Sequence, residues 1–386
     1  VNLEAEIHLR GQVVAAAAEF DDGVVTVVGE RIAGVQSVAE WERAHPGREV
    51  PAYSGMVIPG LVDIHNHGGF GHRFDTADPD QARGAAEYHH GQGSTTVLAS
   101  IVTAAPEDMV AQTAVLAELA ADGVIAGIHA EGPFLSETRC GAQDPRYLTD
   151  PDPVLIERLL AAASGRLRVM TLAPERYGFD SAAKLLADSG VVIALGHSDA
   201  DYADFRAALA PSGFGTLVTH LANGMPPLHH RAPGPVAAAL VAAAAGHAVV
   251  ELIGDGVHVD PGFGALAFAS APSRVALITD AMQAAGLPDG QYRLGPQDVQ
   301  VRGGVARIAN GSIAGGTSTL LSCLRWAIRD CGVPPIEAVR AASATPAAAV
   351  GLDDVGDLRP GCHADIVVLD RDMGLRSILR RGQWLR

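Results

Sequence analysis

Eight short apolar runs punctuate the middle of this chain, and segments of helical composition separate them. The runs cover 61–67, 94–99, 124–131, 167–173, 191–197, 216–220, 248–254 and 275–280. Between them lie alanine-rich amphipathic stretches, among them 106–121, 153–163, 179–189 and 202–209. Strands alternating with helices predict parallel βαβ units, because a parallel pair needs a long crossover that a helix supplies. Eight such units in about 250 residues match the size of a (β/α)8 barrel.

The flanks keep a different rhythm. Residues 1–58 alternate short β-like runs, at 11–16 and 24–28, with turns and one helical patch near 38–44. After the eighth run, the alternating residues 299–302, the Gly303-Gly304 turn and the run 305–308 predict a hairpin. Residues 318–330 and 335–350 read as helices, and the tail from Gly361 to Asp370 returns to a β pattern. The expected architecture is therefore α/β: a TIM-like (β/α)8 barrel over 59–355, flanked by a small β-sandwich domain made from 1–58 and 356–386.

What ends each run carries the chemistry. The first closes on His65 and His67, the third on Glu131, the fifth on His197 and the sixth on His220. The seventh is followed by Asp255 and His258, and the eighth closes on Asp280. A barrel gathers the C-terminal ends of its strands around one mouth, where active sites form. Side chains two apart on a strand project to the same side, so His65 and His67 can aim at one point. A divalent cation accepts His nitrogens at about 2.0–2.1 Å. Taken alone, a His-x-His pair is also an ordinary polar strand end with hydrogen-bonded rings. Repetition of His or acid at strand after strand is what a structural barrel does not require, and it makes a metal site the expectation.

Composition narrows the setting. The chain has 386 residues, 48% of them hydrophobic and 19% charged, as a packed globular protein does. A formal net charge of −16 argues against nucleic acid or an acidic membrane surface as partner, although a local basic cluster can still hold a small anion. No apolar run approaches the roughly 18 residues needed to span a bilayer, and the first residues carry no basic-then-apolar leader pattern. Cys140, Cys323, Cys331 and Cys362 show no disulfide or zinc-knuckle spacing, so a reducing cytoplasm is expected. Lys184 is the only lysine.

The motifs converge on one family. Pro59-Gly-Leu-Val-Asp-Ile-His65-Asn-His67, His129-Ala-Glu131-Gly-Pro-Phe134 and Gly196-His197-Ser198 are followed by Thr219-His220-Leu-Ala-Asn223-Gly224-Met225. Arg231-Ala-Pro-Gly234, Asp255-Gly-Val-His258, Thr279-Asp280-Ala281 and Ala314-Gly315 come next, and the series closes on Pro360-Gly361-x-x-Ala364-Asp365. Nearly end to end, this resembles the amidohydrolase superfamily and, within it, the N-acetylglucosamine-6-phosphate deacetylases. The resemblance implies hydrolysis of the acetamide of N-acetyl-D-glucosamine 6-phosphate to glucosamine 6-phosphate and acetate, in amino-sugar catabolism and cell-wall recycling. It also implies one or two divalent metals per subunit (zinc, iron, manganese or cobalt) and a homodimer.

Roles follow residue by residue. Glu131 faces the His pair and can bridge two metals; with His197 and His220 it makes a two-His, one-carboxylate set with open positions. His65 and His67 hold the second metal, with Asp280 between metal and substrate. Related cyclic-amide hydrolases bridge their metals with a carbamylated lysine ending the fourth strand; Lys184 falls in the following helix, so Glu131 must do that job. Asp280 is expected to move the proton from the attacking water to the leaving amine, with metal-ligand duty alone as the other reading. His258 stabilises the oxyanion or is a satisfied loop histidine. By resemblance, phosphate goes to Arg231 and to Asn223 and Gly224, and sugar contacts come from Ala142, Gln143, Ile313, Ala314 and Gly315. Arg231 also reads as a solvated loop arginine beside His229 and His230; in the family this loop often reaches into a neighbouring subunit. Gln143 stands where the family commonly has His, and it cannot carry charge. Cys140 is either a reactive thiol or simply a small residue. His129 is expected beside the ligands rather than among them, while His45, His89, His90, His247 and His363 are read as structural. A deacylase of another N-acyl sugar or N-acyl amino acid would keep the metal residues without needing Arg231. A non-catalytic scaffold is disfavoured because no ligand is missing.

Overall fold

The computed structural model describes residues 6–385; residues 1–5 and 386, which the expected small domain includes, lie outside the described residues. Eight parallel strands form the barrel wall: Val62–Asp63, Thr96–Val102, Gly127–Glu131, Leu167–Leu172, Val192–Leu195, Gly215–Val218, Val249–Ile253 and Val275–Ile278. Each overlaps one of the eight apolar runs, the second strand continuing past its run to Val102. Neighbours along the chain are neighbours in the sheet. The first and eighth strands close the ring above the regular ladder, where Asp280 N–H donates to the His65 carbonyl at 2.9 Å and His67 N–H to the Ala281 carbonyl at 2.7 Å.

The wall is buried on both faces, which is why its strands read as apolar runs rather than as alternating ones. Outward residues such as Val250, Leu252 and Leu277 pack under the helices. Inward residues Val62, Leu98, Val169, Ala194, Leu217, Val249 and Ala276 pack with Ala347, Val350, Leu352 and Val355, which close the barrel floor. With one end plugged, a ligand can enter only at the C-terminal mouth. Several outer helices begin on an Asp-Pro pair. At Asp78-Pro79, Asp152-Pro153 and Asp260-Pro261 the carboxylate accepts a first-turn N–H, and proline occupies a position that needs no donor.

Residues from both chain ends form one continuous seven-stranded sheet. Glu6–Val14, Glu19–Val28, Arg31–Ser37 and Tyr53–Pro59 join Ile366–Leu369, Leu375–Arg380 and Gln383–Trp384. Its strands share one core, in which Val13, Val25 and Ile32 meet Ile366, Val368 and Leu379. Two expectations change in detail. The hairpin is a three-stranded sheet, Gly290–Leu294, Gln297–Arg302 and Val305–Arg307. The stretch 335–350 breaks into Pro335–Ala341 and Ala344–Ala349, with Ser343 between them at φ −144° and its hydroxyl returned to the Val339 carbonyl. No helix of the described residues is long and apolar enough to cross a membrane.

Candidate metal centre and substrate pocket

Six side chains from five strand ends meet at the mouth as two adjoining clusters, His65, His67 and Asp280 in one and Glu131, His197 and His220 in the other. Three of them sit where the chain leaves its strand in the left-handed region: His197 at φ 47°, His220 at φ 27° and Asp280 at φ 47°. That conformation costs a non-glycine residue about 1–3 kcal/mol and is found where a site dictates side-chain direction. Here it swings each side chain over the barrel axis.

Glu131 joins the clusters. Its Oε1 lies 3.0 Å from His197 Nε2 and 2.9 Å from His220 Nε2, and its Oε2 lies 3.3 Å from His67 Nε2. Asp280 Oδ1 lies 3.2 Å from His67 Nε2 and 3.4 Å from His65 Nε2. The imidazoles also face one another, with Nε2 to Nε2 distances of 3.2 Å for His65 and His67 and 3.1 Å for His197 and His220. Two nitrogens bound to one tetrahedral cation at about 2.0–2.1 Å stand about 3.3 Å apart. The donor set and its spacing fit a divalent ion in each cluster.

The electrostatics agree. Burial disfavours the imidazolium of His67, yet the Asp280 and Glu131 carboxylates outweigh it and raise the ring to about 9. His65 is raised in the same way against its burial, by Glu251, Asp280 and Glu131. Burial pushes the carboxylates up, but His65, His197 and His220 hold Glu131 well below its usual range, and His65 and His67 hold Asp280 at about 2. Buried carboxylates of this kind demand positive charge; protons on the rings supply it when no metal does, and metal binding displaces them.

Beneath the ligands lies a layer of inward polar residues. His129 bonds through Nδ1 to the Ser100 hydroxyl at 2.9 Å and through Nε2 to the Thr171 hydroxyl at 2.8 Å, and Thr171 meets Thr219 at 2.8 Å. With both nitrogens engaged, His129 supports the ligands and is not one of them. Asp63 accepts from the Thr279 hydroxyl at 2.6 Å and so steadies the residue before Asp280. Glu251, which strand-end reasoning missed, reaches the same layer from inside the seventh strand. The signal was present: one acid interrupts Val249-Val250-Glu251-Leu252-Ile253.

Above the clusters opens a cavity of about 270 Å³, lined by Ala142, Gln143, Asn223, Gly224, His258, Ile313 and Gly315, together with Leu294 and Ser312, which sequence reasoning did not single out. His258 Nδ1 is 2.7 Å from Asp255 Oδ2. Burial alone would lower its pKa, but the Asp255 hydrogen bond and charge raise it. Gln143 is deployed differently from expectation. Its Nε2 donates to Glu131 Oε2 at 2.8 Å and its Oε1 accepts from Thr103 N–H at 2.8 Å, so both polar ends brace the bridging carboxylate.

Two expected contacts do not line this cavity. The Ala314 methyl packs into the core under the three-stranded sheet, and its N–H is taken by the Ala306 carbonyl. Arg231 is exposed, on the loop before helix Gly234–Ala244. Cys140 is half-buried, and burial with nearby Glu137 and Asp144 pushes its thiol up, which favours the small-residue reading. Lys184 is exposed in a helix, 2.8 Å from Asp188 and away from the mouth. His89 and His90 are buried in helix Pro79–Gly91.

The amidohydrolase family model matches residues 56–384. Over 333 residues the chain is 37% identical to N-acetylgalactosamine-6-phosphate deacetylase of Escherichia coli O157:H7, covering 85% of this chain and 87% of that one. Over 389 residues it is 33% identical to N-acetylglucosamine-6-phosphate deacetylase of Vibrio furnissii, covering 99% and 96%. An aspartate-to-alanine variant of N-acetyl-D-glucosamine-6-phosphate deacetylase from Mycobacterium smegmatis has been solved in complex with N-acetyl-D-glucosamine 6-phosphate. It is 40% identical, covers 98% of this chain and 99% of that one, and superposes with a TM-score of 0.92. The chain belongs to the amidohydrolase family, and its relatives there are the amino-sugar 6-phosphate deacetylases.

Proposed function

We propose that this chain hydrolyses the acetamide of N-acetyl-D-glucosamine 6-phosphate, releasing acetate and glucosamine 6-phosphate. The observation that carries the reading is the paired His–carboxylate clusters at the floor of a cavity in a chain 40% identical to a deacetylase that holds this sugar phosphate. His65, His67 and Asp280 would hold one divalent ion and Glu131, His197 and His220 the other, within a catalytic unit spanning 59–355. The bound ions would supply Lewis acidity toward the acetamide carbonyl and lower the pKa of water toward neutrality.

The residues do the rest. Asp280 is ionised at neutral pH and lies at the cavity floor, so it takes the proton of the attacking water and returns it to the amine, which leaves only once protonated. His258, steadied through Nδ1 by Asp255, turns Nε2 to the substrate oxygen that gains negative charge. Gln143 keeps the second oxygen of Glu131 in place. Arg231, exposed on its own chain, would reach into the site of a second copy in a homodimer and bind the phosphate there, as the family resemblance implies. A cytoplasmic setting fits the reducing chemistry expected of four unpaired cysteines.

A second reading changes only the sugar. The 37% identity to an N-acetylgalactosamine-6-phosphate deacetylase favours the C4 epimer as an alternative substrate. Acetate release from both 6-phosphates and from unphosphorylated N-acetylglucosamine tests both readings. The glucosamine epimer should give the highest kcat/KM, and the free sugar should be poor. Faster turnover of the galactosamine epimer replaces the first reading with the second, and equal turnover of the free sugar overturns the phosphate assignment.

A further inference from the structure

A carboxylate sits inside the barrel where the fold asks for an aliphatic side chain. On the seventh strand Val249 and Ile253 point inward to the packed interior, while Val250 and Leu252 point outward under the helices. By the two-residue period of a strand, Glu251 points inward with Val249 and Ile253. It is 1% exposed. A buried carboxylate is costly unless hydrogen-bonded donors or positive charge compensate it, so its partners show what it is for.

Both partners belong to the candidate metal centre. Glu251 Oε2 lies 2.9 Å from His65 Nδ1 and accepts the His220 backbone N–H at 3.1 Å. A ring nitrogen facing a carboxylate keeps its proton, so when metal displaces the other one it is Nε2 of His65, beside His67 and Asp280, that offers its lone pair. The other three imidazoles are held otherwise. His197 Nδ1 meets the Arg139 carbonyl at 2.7 Å, and the Nδ1 atoms of His67 and His220 are buried without a hydrogen-bond partner among the described residues. Glu251 thus grips one ring of the first cluster directly. It grips the second cluster only through the backbone of His220, at the point where that residue turns off its strand with φ 27°.

We propose that Glu251 is a positioning residue for the metal centre: it fixes the tautomer and orientation of His65, and its one oxygen ties the two clusters together. This rests on the metal reading above. Because the grip on the first cluster is through a ligand ring and that on the second through a backbone amide, loss of the carboxylate weakens the ion at His65, His67 and Asp280 first. A carboxylate behind a metal-bound histidine typically contributes about 10–100-fold in metal affinity.

The test is metal stoichiometry and affinity of the purified chain and of Glu251→Gln, titrated with zinc after chelation. The expected result is two equivalents in the unmodified protein, and in the variant one equivalent held as before and the other weakened about 10–100-fold. A variant that binds both equivalents like the unmodified protein, or loses both equally, overturns the proposal. An unmodified protein that binds no metal overturns the metal reading itself. If Glu251→Gln does not fold, nitrogen-15 histidine spectra of the zinc-loaded unmodified protein decide. The proposal requires His65 to be protonated on Nδ1 and coordinated through Nε2; the opposite tautomer rejects it.

Discussion

The floor and the rim of the pocket are built on different principles. At the floor, His65, His67, Glu131, His197 and His220 are buried, come from the closed wall of the barrel and brace one another. At the rim, Ala142, Gln143, Asn223, Gly224 and Ile313 come from loops, and Arg231 is left in solvent. The floor is over-determined: each ligand meets several partners, and a change in one side chain reaches the others. Rim residues act one by one. Chemistry is thus assigned to the rigid part and substrate choice to the adjustable part, as barrel enzymes commonly arrange it.

Floor substitutions should therefore cost most. His197→Ala or His220→Ala removes a ligand that touches Glu131, and is expected to abolish turnover together with one bound metal; His65→Ala or His67→Ala should remove the other equivalent. Elemental analysis and acetate release on the same samples check this. Retained stoichiometry would separate those residues from the metal. Asp280→Asn tests the proton role at the same floor. It keeps shape, and at saturating metal kcat should fall by about 10²–10⁴-fold while KM holds. If excess metal restores the rate, Asp280 is a ligand only.

Rim changes should be smaller and should appear in KM. Arg231→Ala is expected to raise KM for the 6-phosphate roughly ten- to a hundredfold, the equivalent of about 1.5–3 kcal/mol for a charge-assisted contact, with the free sugar little affected. An equal effect on both sugars would detach Arg231 from the phosphate. A pH effect is expected at His258, whose pKa is raised because Asp255 outweighs burial. The imidazolium is therefore present below that raised value and is lost as pH rises through it. Because His258 serves the oxygen that gains negative charge, kcat should fall along the same alkaline limb while KM changes little. The limb should vanish in His258→Asn; a variant that keeps it assigns the titration to another group.

Sequence legibility follows the same division. The eight runs revealed the barrel because a doubly buried parallel strand is a continuous apolar stretch, and the ligands stood out because they end those stretches. Glu251 was missed because it lies one layer deeper, inside a strand, where an acid looks like noise until its partners are known. Gln143 was expected at the substrate and does line the cavity, but its hold on Glu131 was not legible, because sequence shows which loop a residue occupies and not which way its amide turns. For Ala314 the neighbouring Ile313 and Gly315 do line the cavity, while the methyl between them packs into the core beside the three-stranded sheet, which the motif alone does not reveal. At the break within 335–350 the Ser343 hydroxyl returns to the Val339 carbonyl, a detail that helix periodicity does not encode.

The central claim is that the two buried clusters hold the ions on which deacetylation depends. Its most direct test is acetate release from N-acetyl-D-glucosamine 6-phosphate before chelation, after chelation and after stoichiometric re-addition of zinc, iron, manganese or cobalt. Activity should disappear with the metal and return as one or two equivalents per chain are restored. Full turnover by a chain shown to contain no transition metal would contradict it.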